Sequence, residues 1–226
     1  MKTRILNITK AVLCMVFLTL AGRLFASSID GNGNIVTQNF EVASFDEVSI
    51  ALPATVNFIV SDEYSCTVRV DENILEYLDI RVEEDELKLT VAKEGQGCEL
   101  RPTDFVIEIS APSLKEIKLL GSGNFEVLNT LRAEELEVKL SGSGNVYIGS
   151  GSIRKMKVSL TGSGSLEAYC DTSVLDAKMS GSGNITANVG TNLFYSIAGS
   201  GSIYYYGTPN LKGKKTGSGV LKQLED

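Results

Sequence analysis

Three kinds of side chain in this sequence could carry chemistry: carboxylates, cysteines and tyrosines. Histidine is absent from all 226 residues. That removes Ser-His-Asp and Cys-His nucleophilic catalysis and the common histidine-bearing zinc sites. Acid–base chemistry would then rest on paired carboxylates, as in glycoside hydrolysis, or on an acidic calcium site. Asp171 with Asp176, and the run Glu83-Glu84-Asp85-Glu86, are the candidates. Neither has an Arg or Lys base at a defined spacing, and the acidic run reads as a solvated loop between strands. No catalytic residue, metal ligand or cofactor is therefore assigned.

Tyrosine offers a different chemistry. Tyr147, Tyr204 and Tyr206 fall at outward or turn positions, and Tyr204-Tyr205-Tyr206 is the densest aromatic stretch of the chain. An exposed tyrosine combines apolar area with a hydrogen-bonding tip, so it can stack on a sugar ring or anchor a protein contact. The alternative is that Tyr205 packs inward while its neighbours cover a sheet edge.

These side chains are positioned by a repeat. Gly-Ser-Gly starts at Gly121, Gly142, Gly162, Gly181, Gly199 and Gly217, with steps of 21, 20, 19, 18 and 18 residues. A nearly fixed period of this size marks a solenoid, each repeat being one turn of chain stacked on the last. Apolar residues alternate before each copy, as in Leu136, Val138 and Leu140, or Met156, Val158 and Leu160. After the turn an apolar residue follows again: Phe125, Val146, Leu166, Ile185, Ile203 and Val220. Period-two patterning on both flanks means a strand, a corner and a second strand in every repeat. Identical corners stacked in register place each strand beside its counterpart, so the fold class is all-β. The architecture is a right-handed parallel β-helix with about 18–21 residues per rung in the C-terminal half.

The glycines suit corners that need positive φ and close backbone approach, and the Ser and Asn positions are expected to form polar ladders. A phosphate-cradling loop would need a helix N-terminus behind it, and no helical pattern follows any copy. Outward positions pair Lys118 and Lys139 with Glu116 and Glu137, as expected of a solvated face. Gly213 and Lys215 interrupt the inward pattern, which reads as a polar C-terminal cap. Residues 27–113 lack the tripeptide and read as irregular strands, with a short helical turn over 73–78. The regular repeats cover 114–226, and the whole of 27–226 reads as one β-helix domain.

Residues 1–26 read as a secretory signal peptide. Lys2, Arg4 and Lys10 precede an apolar run too short to span a membrane, and small residues surround the cut after Ala26. Without that segment, 17 basic residues face 28 acidic ones, a net charge of −11. Such a surface repels nucleic acid and anionic lipid headgroups. No second apolar segment follows, so no membrane span is expected. Export makes a disulfide between Cys66 and Cys98 feasible, the alternative being that they and Cys170 are buried small apolar side chains.

The ordered succession Phe45-Asp-Glu-Val48-Ser-Ile50, Ala54-Thr-Val56-Asn-Phe58, Asn73-Ile-Leu75, Glu86-Leu-Lys-Leu89 and Phe105 to Ile117, ending in repeated Ser-Gly-Ser-Gly-Asn, resembles the putative auto-transporter adhesin, head GIN domain family. The resemblance covers nearly the whole mature chain and implies a secreted bacterial β-helix-like domain. The family brings no catalytic motif to these residues. The expected function is a non-enzymatic interaction protein of the cell envelope, located in the periplasm, at the outer-membrane surface or outside the cell. Its partners would be a cell-surface glycan or protein, or a second copy through its faces. A structural envelope element without soluble ligand ranks second, and a polysaccharide-active enzyme using Asp171 or Asp176 third.

Overall fold

Alternating apolar residues around each Gly-Ser-Gly become stacked strands and corners, and the result is a nearly all-β solenoid of about five turns. The computed structural model describes residues 27–225, so the export signal read at 1–26 lies outside the described residues. The first half contains β1 (Ser27–Asp30), β2 (Ile35–Phe40), β3 (Glu47–Ile50), β4 (Thr55–Val60) and β5 (Ser65–Asp71). A single helical turn, α1 (Glu72–Leu75), then leads to β6 (Leu78–Glu83), β7 (Glu86–Val91), β8 (Cys98–Arg101) and β9 (Phe105–Ala111). The repeats supply β10 (Glu116–Gly121), β11 (Asn124–Val127), β12 (Leu131–Gly142), β13 (Asn145–Ile148) and β14 (Gly151–Gly162). They continue through β15 (Ser165–Gly181), β16 (Asn184–Gly199), β17 (Ser202–Tyr206), β18 (Asn210–Thr216) and β19 (Leu221–Gln223).

Every pairing within the repeats is parallel, as the constant return of the corner predicts. Leu140, Leu160, Met179 and Ile197 follow one another in lateral register, as do Phe125, Val146, Leu166, Ile185 and Ile203. These columns are buried in one core running from Phe45 to Tyr205. In the last copy Leu221, not Val220, pairs with Ile203, and Val220 is exposed. Leu221 stands four residues after Gly217, the same offset as Phe125 from Gly121, so the column continues unbroken and Val220 takes the place of the Asn or Ser of the other copies.

The corners work through backbone rather than through serine hydroxyls. The amides of Ser143 and Gly144 both donate to the Gly121 carbonyl, at 2.9 and 3.0 Å. Ser163 and Gly164 do the same to Gly142, and Ser182 and Gly183 to Gly162. The first glycine of each corner has φ between +106° and +132°, a region L-residues rarely adopt. A Cβ on Gly162 would also strike the Gly142 carbonyl, and one on Gly164 the Gly144 carbonyl. The expected polar ladder exists for part of its length, with Asn145 Nδ2 donating to Asn124 Oδ1 at 2.9 Å and Ser165 Oγ to Asn145 Oδ1 at 2.6 Å.

The first half joins the same stack in an order different from the sequence. β7 lies beside β3 and β3 beside β10, while β9 lies beside β4 and β4 beside β11. The coil built from 47–60 therefore sits between the coil of 86–111 and the first Gly-Ser-Gly coil. Its corner is Leu52-Pro-Ala54, whose carbonyls face Gly123 of the next corner. Antiparallel additions close this end: β5 on β9, β2 on β5 and β6 on β7. At the other end β18 is exposed along its whole length, and Gly213 makes room for the Tyr195 ring over the core.

Cys66 and Cys98 are not bonded to each other. Cys66 packs in the core, where burial pushes its thiol up to about 12, and Cys170 is likewise buried with its thiol raised. Asp71 is the one fully buried carboxylate among the described residues. It accepts bonds from the Gly33 amide at 2.7 Å, the Thr103 amide at 2.7 Å and the Thr103 hydroxyl at 2.8 Å. Burial alone would raise its pKa; these donors outweigh burial and hold it below the usual carboxylate value. Gly31 leaves the space that the Asp71 carboxylate fills, which accounts for the Gly-Asn-Gly-Asn turn.

Gly162→Ala should cost about 1–3 kcal/mol from backbone conformation alone, before any clash with the stacked carbonyl. Denaturant unfolding measures it, and a loss below about 0.5 kcal/mol would mean that the corner relaxes freely. For Asp71, whose folded pKa is lowered, the stabilisation is fully present above about pH 4 and fades as pH falls through the folded value. Asp71→Asn should therefore be less stable than the parent at pH 7, with the gap narrowing below pH ~4. Parallel stability curves down to acid pH would remove Asp71 as the source.

Candidate functional site

The outward residues of β13, β15 and β17 alternate with buried ones, so each tyrosine position is set by the core beneath it. Tyr147 stands between buried Val146 and Ile148, and Tyr169 between buried Ala168 and Cys170. Tyr204 and Tyr206 flank Tyr205, which is buried. The rings of Tyr147 and Tyr169 meet with centroids 6.0 Å apart, and those of Tyr169 and Tyr206 at 6.4 Å. Both separations lie in the favourable range for tilted aromatic pairs. Tyr147 is 40% exposed and Tyr169 42%, so the ladder faces solvent instead of supporting the core.

Two small residues let the rings meet. Gly149 has no side chain where the Tyr147 ring lies, since a Cβ there would be 3.0 Å from Tyr147 Cε1. Tyr147 thus leans toward the next position along the strand and reaches Tyr169. Asn188 occupies the coil between Tyr169 and Tyr206, but its amide turns to Asp171 Oδ1 at 3.0 Å. Tyr169 Oη donates to Glu167 Oε2 at 3.3 Å, and its pKa is raised by burial and by the Glu167 charge, so the phenol stays protonated.

Of the tyrosines expected from sequence, the structure joins Tyr147 and Tyr206 through Tyr169, which the sequence reading missed. Tyr204 shares a lateral column with Tyr147, separated from it by Glu167 and Thr186, and its ring enters no aromatic pair among the described residues. A signal for Tyr169 was available: like Tyr206, it stands seven residues after the first glycine of its corner. Simple alternation also points it outward, between Ala168 and Cys170; the irregularity of β15 between Ala168 and Asp171 then gives Asp171, not Tyr169, the register position of Tyr206.

A second row runs beside the ladder. Arg132, Ser152, Asp171, Asn188 and Tyr206 occupy one lateral register position on five successive coils. All five side chains reach solvent. A shallow groove follows this row on the third side of the coil, from Ala133 past Ser152 and Ser173 to Thr191.

The carboxylate candidates are not assembled for catalysis. Asp171 pairs laterally with Ser152 and Asn188, whereas Asp176 lies beside Lys157 and Phe194, beyond the bend at Ser173. Glu84 and Asp85, at φ 53° and 65°, form the two-residue turn of the β6–β7 hairpin. Glu83 binds Lys88 at 2.5 Å and Glu86 binds Lys118 at 2.8 Å, so these acids are neutralised by lysines. Among the described residues no group of three or more Cys, Asp or Glu is arranged to hold a metal ion. Glu116 is buried between Lys139 at 2.5 Å and Lys118 at 3.0 Å; burial opposes its ionisation, but the two lysines hold its pKa low. This is a structural charge network on the second side of the solenoid.

Solved structures share this fold. A putative lipid binding protein from Parabacteroides distasonis is 26% identical with a TM-score of 0.66, over 88% of this chain and all of that one. A putative adhesin from Parabacteroides merdae is 22% identical with a TM-score of 0.59, over 88% of this chain and all of its own. One from Bacteroides fragilis is 19% identical with a TM-score of 0.63, over 87% of this chain and all of its own. No functionally curated protein matches the chain. No helix among the described residues is long and apolar enough to cross a membrane. Residues 44–209 match a family description, and that match spans β3 to β17, five of the six Gly-Ser-Gly corners and the tyrosine ladder. The chain belongs to the putative auto-transporter adhesin, head GIN domain family.

Proposed function

We propose that this chain is an exported, non-enzymatic interaction protein that holds a cell-surface glycan or protein against its tyrosine-bearing side. The observation that carries the reading is the solvent-facing stack of Tyr147, Tyr169 and Tyr206. Rings on a parallel sheet lose little conformational freedom on binding, because strand and core already fix them. Their faces accept the apolar face of a sugar or an apolar side chain, and their hydroxyls bond to its rim. Tyr204 lies at the margin of this surface. The family description supports an adhesive role, and the separation of Asp171 from Asp176 favours binding over hydrolysis. The signal read at 1–26 would deliver the chain to the periplasm, the outer-membrane surface or the exterior. A net charge of −11 after its removal makes nucleic acid a poor partner.

A glycan array combined with capture from cell-envelope fractions tests this reading, using the parent chain and Tyr147→Ala, Tyr169→Ala, Tyr204→Ala and Tyr206→Ala. Loss of Tyr147 or Tyr169 should weaken the captured partner about tenfold, as for one aromatic anchor. Tyr204→Ala should do less. Folding should change little, because these rings lie outside the core. Unchanged binding by a Tyr147/Tyr169 double variant that unfolds like the parent would remove the tyrosine site.

A further inference from the structure

Five arginines lie among the described residues, and four of them have a carboxylate partner. Arg69 bonds Asp104, Arg81 bonds Asp79, Arg101 bonds Glu99 and Arg154 bonds Glu134. Arg132 alone makes no ion pair among the described residues, although 28 acidic residues outnumber the bases in the chain. It is exposed, and it stands at one end of the row Arg132–Ser152–Asp171–Asn188–Tyr206, where two stretches of the groove overlap. Glu134, Glu135 and Asp171 also line the groove, and the chain as a whole repels anions; the Arg132 guanidinium is the local exception, a planar donor fork that matches a carboxylate in two parallel hydrogen bonds.

The rest of the row supplies what a sugar needs. Ser152 offers a hydroxyl, and the Asn188 amide bonded to the Asp171 carboxylate presents neutral donors beside a charged acceptor. Tyr206 ends the row with a ring, next in register to the groove-lining Asn188, and Tyr169 packs against Tyr206 at a tilt of 49°. With five positions on successive coils, the row is roughly 19 Å long at the spacing between neighbouring strands. It crosses the coils in the direction in which they stack. The groove is shallow and mixes the apolar surface of Leu114 and Ala133 with the hydroxyls of Ser152 and Ser173; a linear chain of rings with one apolar and one hydroxyl-rich face would lie along it.

We infer that the groove binds a linear acidic oligosaccharide lying along the solenoid axis, with Arg132 pairing a sugar carboxylate and the Tyr169–Tyr206 end stacking a ring. This rests on the reading of the tyrosine side as a binding surface, and it names the ligand class of that surface. The discrimination is a charge-assisted bidentate contact added to neutral hydroxyl contacts. It should therefore weaken with salt, whereas stacking should not.

The test titrates the protein by calorimetry with a uronate-containing oligosaccharide and with a neutral one of equal length. The acidic chain should bind at least tenfold more tightly, and Arg132→Ala should abolish that preference while leaving unfolding unchanged, because Arg132 is exposed and unpaired. Arg132→Lys should restore part of it, as a point charge without the planar fork. Tyr169→Ala should weaken both chains alike. Equal binding of neutral and acidic chains, an unaffected Arg132→Ala, or binding of neither chain would each overturn the inference. If the tyrosine variants lose an envelope partner that Arg132→Ala retains, the binding surface stands and the acidic oligosaccharide falls.

Discussion

One carbonyl oxygen per coil holds this molecule in register. The first glycine of each corner from Gly121 to Gly181 offers its carbonyl to two amides of the next corner, Gly199 offers its own to one, and the second glycine of each stacked corner lets it approach the corner before. Backbone groups at a bend would otherwise go unpaired, at a cost comparable to a lost hydrogen bond each. Stacking satisfies them only if every corner has the same shape, so the constraint propagates along the axis. Strand register, the inward apolar columns and the position of every outward residue follow from it. From Gly142 onward, a Cβ at either glycine would strike the carbonyl of the preceding corner.

That constraint also separates structural from functional sequence. Inward positions are filled by Leu, Val, Ile, Met and Ala with little freedom, and the corners are fixed by backbone. What remains variable is the outward columns, and these differ in chemistry from one side to the next. One side carries the Glu116, Lys118 and Lys139 network, which neutralises itself. Another carries the tyrosine ladder and the polar row beside it, where Arg132 has no carboxylate partner among the described residues. Self-neutralised charge is what a solvated face needs; exposed rings and an unpaired guanidinium are left over from any purely structural account.

The repeats were legible in the sequence because their physics is periodic. A glycine doublet at a constant step and period-two burial leave a trace that needs no partner to be seen. The first half left no such trace. Its corner is Leu52-Pro-Ala54, and its coils stack out of sequence order, with 47–60 lying between 86–111 and 116–127. Pairing of that kind depends on contacts far apart in the chain, which local alternation does not record. Tyr169 was missed although alternation between Ala168 and Cys170 marks it outward; what local alternation does not record is the irregular register after Ala168, which puts Asp171 and not Tyr169 in the column of Tyr206. The serines misled in another way: their spacing marks the corner, but their amides and not their hydroxyls form its repeated bonds.

The two ends of the solenoid meet the same problem with different devices, and the difference bears on where a partner can sit. Parallel coils leave open strand edges, which invite pairing with another chain. At the N-terminal end, hairpins turn the chain back so that β2 and β6 become the outer strands, and the buried Asp71 ties the Gly31–Gly33 turn to Thr103. At the C-terminal end no hairpin returns. Lys212 and Lys214 project from β18, Lys215 stands where Ile197 would call for an apolar partner, and the Tyr195 ring covers the core over Gly213. A second copy adding end to end would bury the Lys215 ammonium against that core without a counter-charge, which is strongly unfavourable. Growth along the axis is thereby discouraged.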